Sequence, residues 1–68
     1  MNEKISSSID VLGGTPVFTG TRVPIQTLLD YLEADQSIHN FLEDFPTVTH
    51  EQAVDVLHVA RELLLHAS

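Results

Sequence analysis

The chain has no cysteine, so neither a disulfide nor a thiolate-ligated zinc can brace it, and those are the usual staples of small domains. Positive charge is scarce as well. Three Lys and Arg residues stand against ten Asp and Glu, a net charge of −7, which opposes non-specific binding to phosphate and favours a basic partner surface. Long apolar runs are missing too. Met1 to Ser8 does not read as a signal peptide, and no later segment approaches the roughly 20 apolar residues of a membrane helix, so the expected location is the cytoplasm. With 68 residues the chain is one domain of a size that buries only about 60% of the surface its unfolded state exposes. A second subunit, most simply in a homodimer, is the expected substitute for the absent staples.

Glycine and proline are few but concentrated. All three glycines and two of the three prolines lie between Gly13 and Pro24, in Gly-Gly-Thr-Pro-Val-Phe-Thr-Gly-Thr-Arg-Val-Pro. Such crowding specifies a backbone path rather than a reaction, because glycine reaches angles other residues avoid and proline fixes φ. Val17-Phe18 and Thr21-Arg22-Val23 flank Thr19-Gly20 and suit a short hairpin closed by that dipeptide. Pro24 fits the first position of a helix, where its missing N–H costs nothing. Upstream, Ile9 to Leu12 suits a short strand or an extended lead-in, and Met1 to Ser8, polar and without period, a flexible tail; residues 9–68 form the single folded domain.

Beyond Pro24 the apolar period is helical. Ile25, Leu28, Leu29 and Leu32 predict one amphipathic helix ending near Asp35-Gln36, and Ile38, Phe41, Leu42 and Phe45 predict a second, with Ser37 as its N-cap. Pro46 disfavours helical angles at Phe45, and Thr49 with Gln52 makes a capping box for a third helix reaching Leu64 or Leu65. On that helix Ala53, Val56, Leu57, Ala60, Leu63 and Leu64 form the expected core stripe, which Val54, Val59 and Leu65 widen at both edges toward a partner or dimer interface. Glu51, Asp55 and Glu62, with His58 and His66, occupy the remaining narrow face. The fold class is therefore mainly α: a small three-helix, helix-turn-helix-like domain with a short N-terminal β-hairpin.

The chemistry this sequence supports is binding. His50, His58 and His66 recur every eight residues, and eight residues turn a helix about 80° past two full turns, so they share no face and no metal site is expected. No serine sits in a nucleophile elbow and no glycine spacing cradles phosphate, so neither a cofactor nor an enzymatic activity is expected. DNA binding is weakened by its dependence on Lys4, Arg22 and Arg61 alone.

The Gly13–Pro24 stretch, followed by Leu28-Leu29, Phe41-Leu42, Phe45-Pro46, Thr49 and the run to Arg61, resembles the domain-of-unknown-function family four-three-three over about Ile9 to Leu64. The resemblance implies a helix-turn-helix-like domain, often dimeric, among the VapB-like antitoxins encoded beside PIN-like ribonuclease toxins. Gly14, Pro16, Gly20, Thr21, Arg22 and Pro24 match the family motif, and the role it implies for them is architectural. Members commonly carry basic residues where Thr15 and Thr19 stand, and often a glycine where Asp35 stands. The expected function is that of an antitoxin binding a PIN-like toxin protein through its folded surface. A helix-turn-helix transcriptional regulator, or a homo-oligomeric interaction module, is the alternative.

Overall fold

The computed structural model describes residues 8–66. Two strands, β1 (Ile9–Leu12) and β2 (Thr15–Phe18), precede three helices, α1 (Ile25–Glu33), α2 (Ile38–Asp44) and α3 (His50–His66), so the fold is mainly α with an N-terminal hairpin. The expected tail lies outside the described residues except for Ser8, which is buried and whose carbonyl accepts the Thr19 N–H at 3.0 Å.

The hairpin is antiparallel and pairs Leu12 with Thr15, Val11 with Pro16, Asp10 with Val17 and Ile9 with Phe18. Its turn is Gly13-Gly14 and not Thr19-Gly20, which corrects the expected strand pairing. Gly13 and Gly14 both hold positive φ, 58° and 86°, as the favoured two-residue hairpin turn requires at both positions. At the second dipeptide only Gly20 does so, with φ 81°, and Thr19-Gly20 closes a wider loop in which the Phe18 N–H donates to the Val23 carbonyl. Ladder alternation puts Pro16 at a position whose missing N–H faces away from β1, so the proline costs the sheet no bond.

Pro24 corrects a second expectation. It is the N-cap of α1, with extended angles of φ −66° and ψ 143°, and the helix begins at Ile25. An isolated bridge joins Pro24 to Val17 and holds it out of the helical region. α1 ends in a Schellman arrangement: the Asp35 N–H donates to the Leu32 carbonyl and the Gln36 N–H to the Tyr31 carbonyl. Asp35 takes the left-handed position that this motif gives to glycine, at φ 64°. Asp35→Gly is therefore expected to stabilise the domain by about 0.5 kcal/mol, less than the full left-handed penalty because glycine also loosens the unfolded chain. A thermal melt should rise by about 2–4 °C.

α2 and α3 carry the caps their sequences predict. The Asn40 N–H donates to Ser37 Oγ at 3.0 Å, the Gln52 N–H to Thr49 Oγ1 at 3.0 Å and the Thr49 N–H to Gln52 Oε1 at 3.1 Å. Phe45, ahead of Pro46, leaves the helix at φ −128° and ψ 72°. The core gathers Phe18, Leu28 and Phe41, all fully buried, with Ile9, Val48, Ala53 and Val56. The apolar stripe of α3 is only partly used. Ala53 and Val56 are buried and Leu57 and Ala60 half-buried, but Leu63 and Leu64 are 59% and 76% exposed, contrary to their expected place in the core. A 17-residue helix overhangs the nine- and seven-residue helices beside it.

Candidate partner-binding surface

The residues of the glycine-proline signature divide their labour. Gly14 and Gly20 supply positive φ, Pro16 pairs with Val11 within the ladder, and Pro24 caps the start of α1. Thr21 ties the loop: its Oγ1 donates to the Phe18 carbonyl at 2.8 Å and accepts the Val23 N–H at 3.0 Å. Arg22 is exposed and makes no hydrogen bond or ion pair among the described residues, so Thr21 and not Arg22 anchors the turn. The loop is also fastened to α3, where Gln52 Nε2 donates to the Thr19 carbonyl at 3.0 Å. Thr19 serves that bond through its main chain, and its own hydroxyl, buried, has no partner among the described residues.

The acidic side chains of α3 lie in one line. At roughly 100° per residue, Glu51, Asp55 and Glu62 fall within about 40° of one another, on a side of the helix turned away from Ala53. Glu51 is exposed, and Asp55 and Glu62 are half-buried. Glu51 and Asp55 border a recess of about 420 Å³ completed by Ser8 and Gln52. Farther along, His66 Nε2 lies 3.2 Å from Glu62 Oε1 and Arg61 Nη1 lies 3.6 Å from Glu62 Oε2, both on the surface. No three His, Asp or Glu side chains gather as metal ligands among the described residues, and no described helix is long and apolar enough to cross a membrane.

The three apolar residues expected to form one interface do not share a surface. Val54 and Leu65 are 45% and 59% exposed, and they stand on the far side of α3 from Val59, which is half-buried against the core. Val54 and Val59 are five residues apart, about 140° round the helix. The apolar period places them at opposite edges of the stripe, Val59 at one and Val54 with Leu65 at the other.

A polar pair that the sequence did not single out joins α1 to α2. The Tyr31 hydroxyl donates to Asp44 Oδ2, and the Tyr31 ring stands edge-on to Phe41 and Phe45 at centroid distances of 5.5 and 6.0 Å. Its hydrogen bond to Asp44, then burial, then the negative charge of that carboxylate raise the phenol above its ordinary 10.0. Because the folded-state value is the higher one, the contribution to stability is complete below the unfolded tyrosine value and is lost as pH rises through the folded one. Tyr31 is the chain's one tyrosine and there is no tryptophan, so tyrosinate absorbance follows this group alone. The titration midpoint should lie above 10.0 and return toward it in Asp44→Ala; coincident curves for the two proteins would contradict the assignment.

Among known proteins, the chain is 42% identical over 50 residues to the "Uncharacterized protein y4eO" of Sinorhizobium fredii (strain NBRC 101917 / NGR234), a match that covers 74% of this chain and 23% of that protein. The chain thus spans about a quarter of the length of this curated relative. No solved structure matches it. The family model described as "Protein of unknown function (DUF433)" matches residues 5–60, a span that takes in the hairpin, the signature turn, α1, α2 and most of α3, and the chain belongs to that family.

Proposed function

We propose that this chain works by binding rather than by catalysis, as the antitoxin of a type II toxin–antitoxin pair that neutralises a PIN-like ribonuclease through its folded surface. The observation that carries this reading is the acidic line of Glu51, Asp55 and Glu62 along α3. Carboxylates four residues apart on a helix, as Glu51 and Asp55 are, repel each other. A basic surface laid along them converts that repulsion into attraction, and an RNA-cleaving partner presents such a surface where it holds its substrate. The likeness of the signature turn to the VapB-like antitoxins supports the same reading. Co-purification with the product of the adjacent gene is the first test. Reversing Glu51, Asp55 and Glu62 together to lysine should then slow association by about tenfold or more at low salt, where steering is strongest; an unchanged on-rate would remove the acidic line from the interface.

One observation favours a second reading, a DNA-binding regulator: α2, the Phe45–Thr49 connection and α3 have a helix-turn-helix-like arrangement. Against it stands the charge of α3, on which Arg61 is outnumbered by Glu51, Asp55 and Glu62. A sequence-selective complex with duplex DNA tighter than about 1 µM at low salt would install this reading in place of the first.

A further inference from the structure

Between α1 and α3 runs a groove of about 190 Å³ with no polar residue in its lining: Ile25 and Leu29 come from α1, Val56, Val59 and Leu63 from α3, and Ile9 from β1. Val59 and Leu63 also line an adjoining recess of about 290 Å³, which Glu62, His58 and His66 complete. The apolar wall and the acidic line of α3 therefore share a border. At roughly 100° per residue, Asp55 and Glu62 follow Val59 at about 40° and 60° round α3, on the side away from buried Ala53. On α1, exposed Glu33 follows Leu29 at about 40°, on the side away from buried Leu28. Carboxylates thus flank both walls. Resting on the proposed role of the acidic line as a partner contact, we infer that the groove seats an amphipathic helix of the partner, its apolar ridge inside and Lys or Arg on each flank.

Two observations select this occupant. The first is the form of the walls. α1 and α3 offer side chains there, their main-chain groups being spent within the helices, so the guest must satisfy its own main-chain hydrogen bonds, as a helix does. From Val56 to Leu63 the wall on α3 rises about 10 Å, enough for two turns of the guest with apolar anchors at i, i+3 or i+4, and i+7. The second is charge. A groove bordered by Glu33 on one side and by Asp55 and Glu62 on the other attracts a cationic helix and repels an acidic one. This chain has no such helix to lend a second copy: α1 and α2 contain neither Lys nor Arg, and α3 sets Arg61 against Glu51, Asp55 and Glu62. The guest is therefore another protein.

The test titrates the full chain into a fluorescent synthetic helix of about five turns, with leucines at the anchor spacing and lysines on both flanks. Two further peptides serve as comparisons, one with glutamate for every lysine and one of the same composition with the leucine spacing scrambled. The lysine peptide should bind at least about tenfold tighter than either at 0.15 M salt, and its advantage over the glutamate peptide should shrink to about threefold at 1 M. Leu63→Gln should weaken binding by about tenfold or more, and Glu33→Lys by about threefold or more. Leu65→Gln is the control. Leu65 is 59% exposed, as Leu63 is, but lies about 160° away round the helix, so its effect should stay within about twofold. If Leu63→Gln loses its helical circular dichroism, Leu29→Gln takes its place. The inference is overturned if the lysine peptide does not bind at about 1 mM, if the scrambled peptide binds as well, or if Leu65→Gln matters as much as Leu63→Gln. It is overturned too if Leu63 is covered by a second copy of the chain and no peptide enters. A peptide that depends on Leu63, with no co-purification of the adjacent gene's product, keeps the groove and removes the toxin. A toxin slowed by reversal of the acidic line, with the peptide indifferent to Leu63→Gln, keeps the antitoxin and removes the groove.

Discussion

Phe41→Ala is expected to leave the domain largely unfolded at room temperature. Phe41 is fully buried and is the ring on which the aromatic cluster turns, with centroids 5.7 Å from Phe18, 5.5 Å from Tyr31 and 5.1 Å from Phe45. It therefore joins the hairpin, α1 and the end of α2 in one contact set. Truncating a buried phenylalanine removes transfer free energy and leaves a cavity, together about 3–5 kcal/mol. A chain of this length has a total stability of about 3–10 kcal/mol at 0.05–0.15 kcal/mol per residue, and no disulfide holds the remnant together. Loss of a cooperative thermal transition, or a fall in its midpoint of about 15 °C or more, is the outcome to look for in circular dichroism. Phe45→Ala gives the comparison. Phe45 is half-buried at the rim of the same cluster, so its cavity opens to water and the cost should be clearly smaller. Equal losses at the two positions would mean that Phe41 is not the centre of the core.

Sequence reasoning succeeded where one local rule decides the outcome. Ser37 and Thr49-Gln52 announce helix starts because capping needs a particular side chain at a particular offset, and both caps form as read. The membership of the core in α1 and α2 was equally legible, since Leu28 and Phe41 sit at the centre of their apolar stripes. The hairpin was harder because two glycine-containing dipeptides competed for one turn. What separates them is that a tight hairpin turn wants both residues at positive φ, which Gly13-Gly14 meets and Thr19-Gly20 does not. The limit of the α3 stripe was not legible at all. Period tells which side of a helix is apolar, whereas the point at which its neighbours stop depends on how α1 and α2 are laid against it. Leu63 and Leu64 thus look identical in pattern to Val56 and Ala60 and end up in a different environment.

The same distinction explains why the signature turn reads as an architectural device. Gly20, Thr21 and Pro24 act on their own loop and on α1 through backbone angle and hydrogen bonds, and none of these contacts needs a partner molecule. Arg22, set between them and pointing no hydrogen bond at the rest of the described chain, is left available to something outside it.

Gln52→Ala is expected to cost more than the loss of a helix cap, because one side chain makes two unrelated connections. Its Oε1 accepts the Thr49 N–H as half of the capping box, and its Nε2 donates to the Thr19 carbonyl 33 positions earlier in the chain. The first is local, and a cap of this kind is worth about 1 kcal/mol. The second pins the signature loop to the start of α3, and breaking it leaves a part-buried carbonyl without its donor, a further cost of about 1 kcal/mol or more. Together they predict a loss of about 2–3 kcal/mol in denaturant unfolding for Gln52→Ala. Gln52→Glu separates the two: glutamate serves a capping box as well as glutamine does and suits the positive end of the helix dipole, but it offers a lone pair, not an N–H, to the Thr19 carbonyl. It should therefore lose only the tether, about half the alanine effect, and the difference should appear as faster hydrogen exchange in Thr19–Val23 with α3 still protected. If Gln52→Glu matches the parent protein, the loop is held by Thr21 and packing alone and the long-range bond contributes nothing; if it matches Gln52→Ala, the capping half is the part without value.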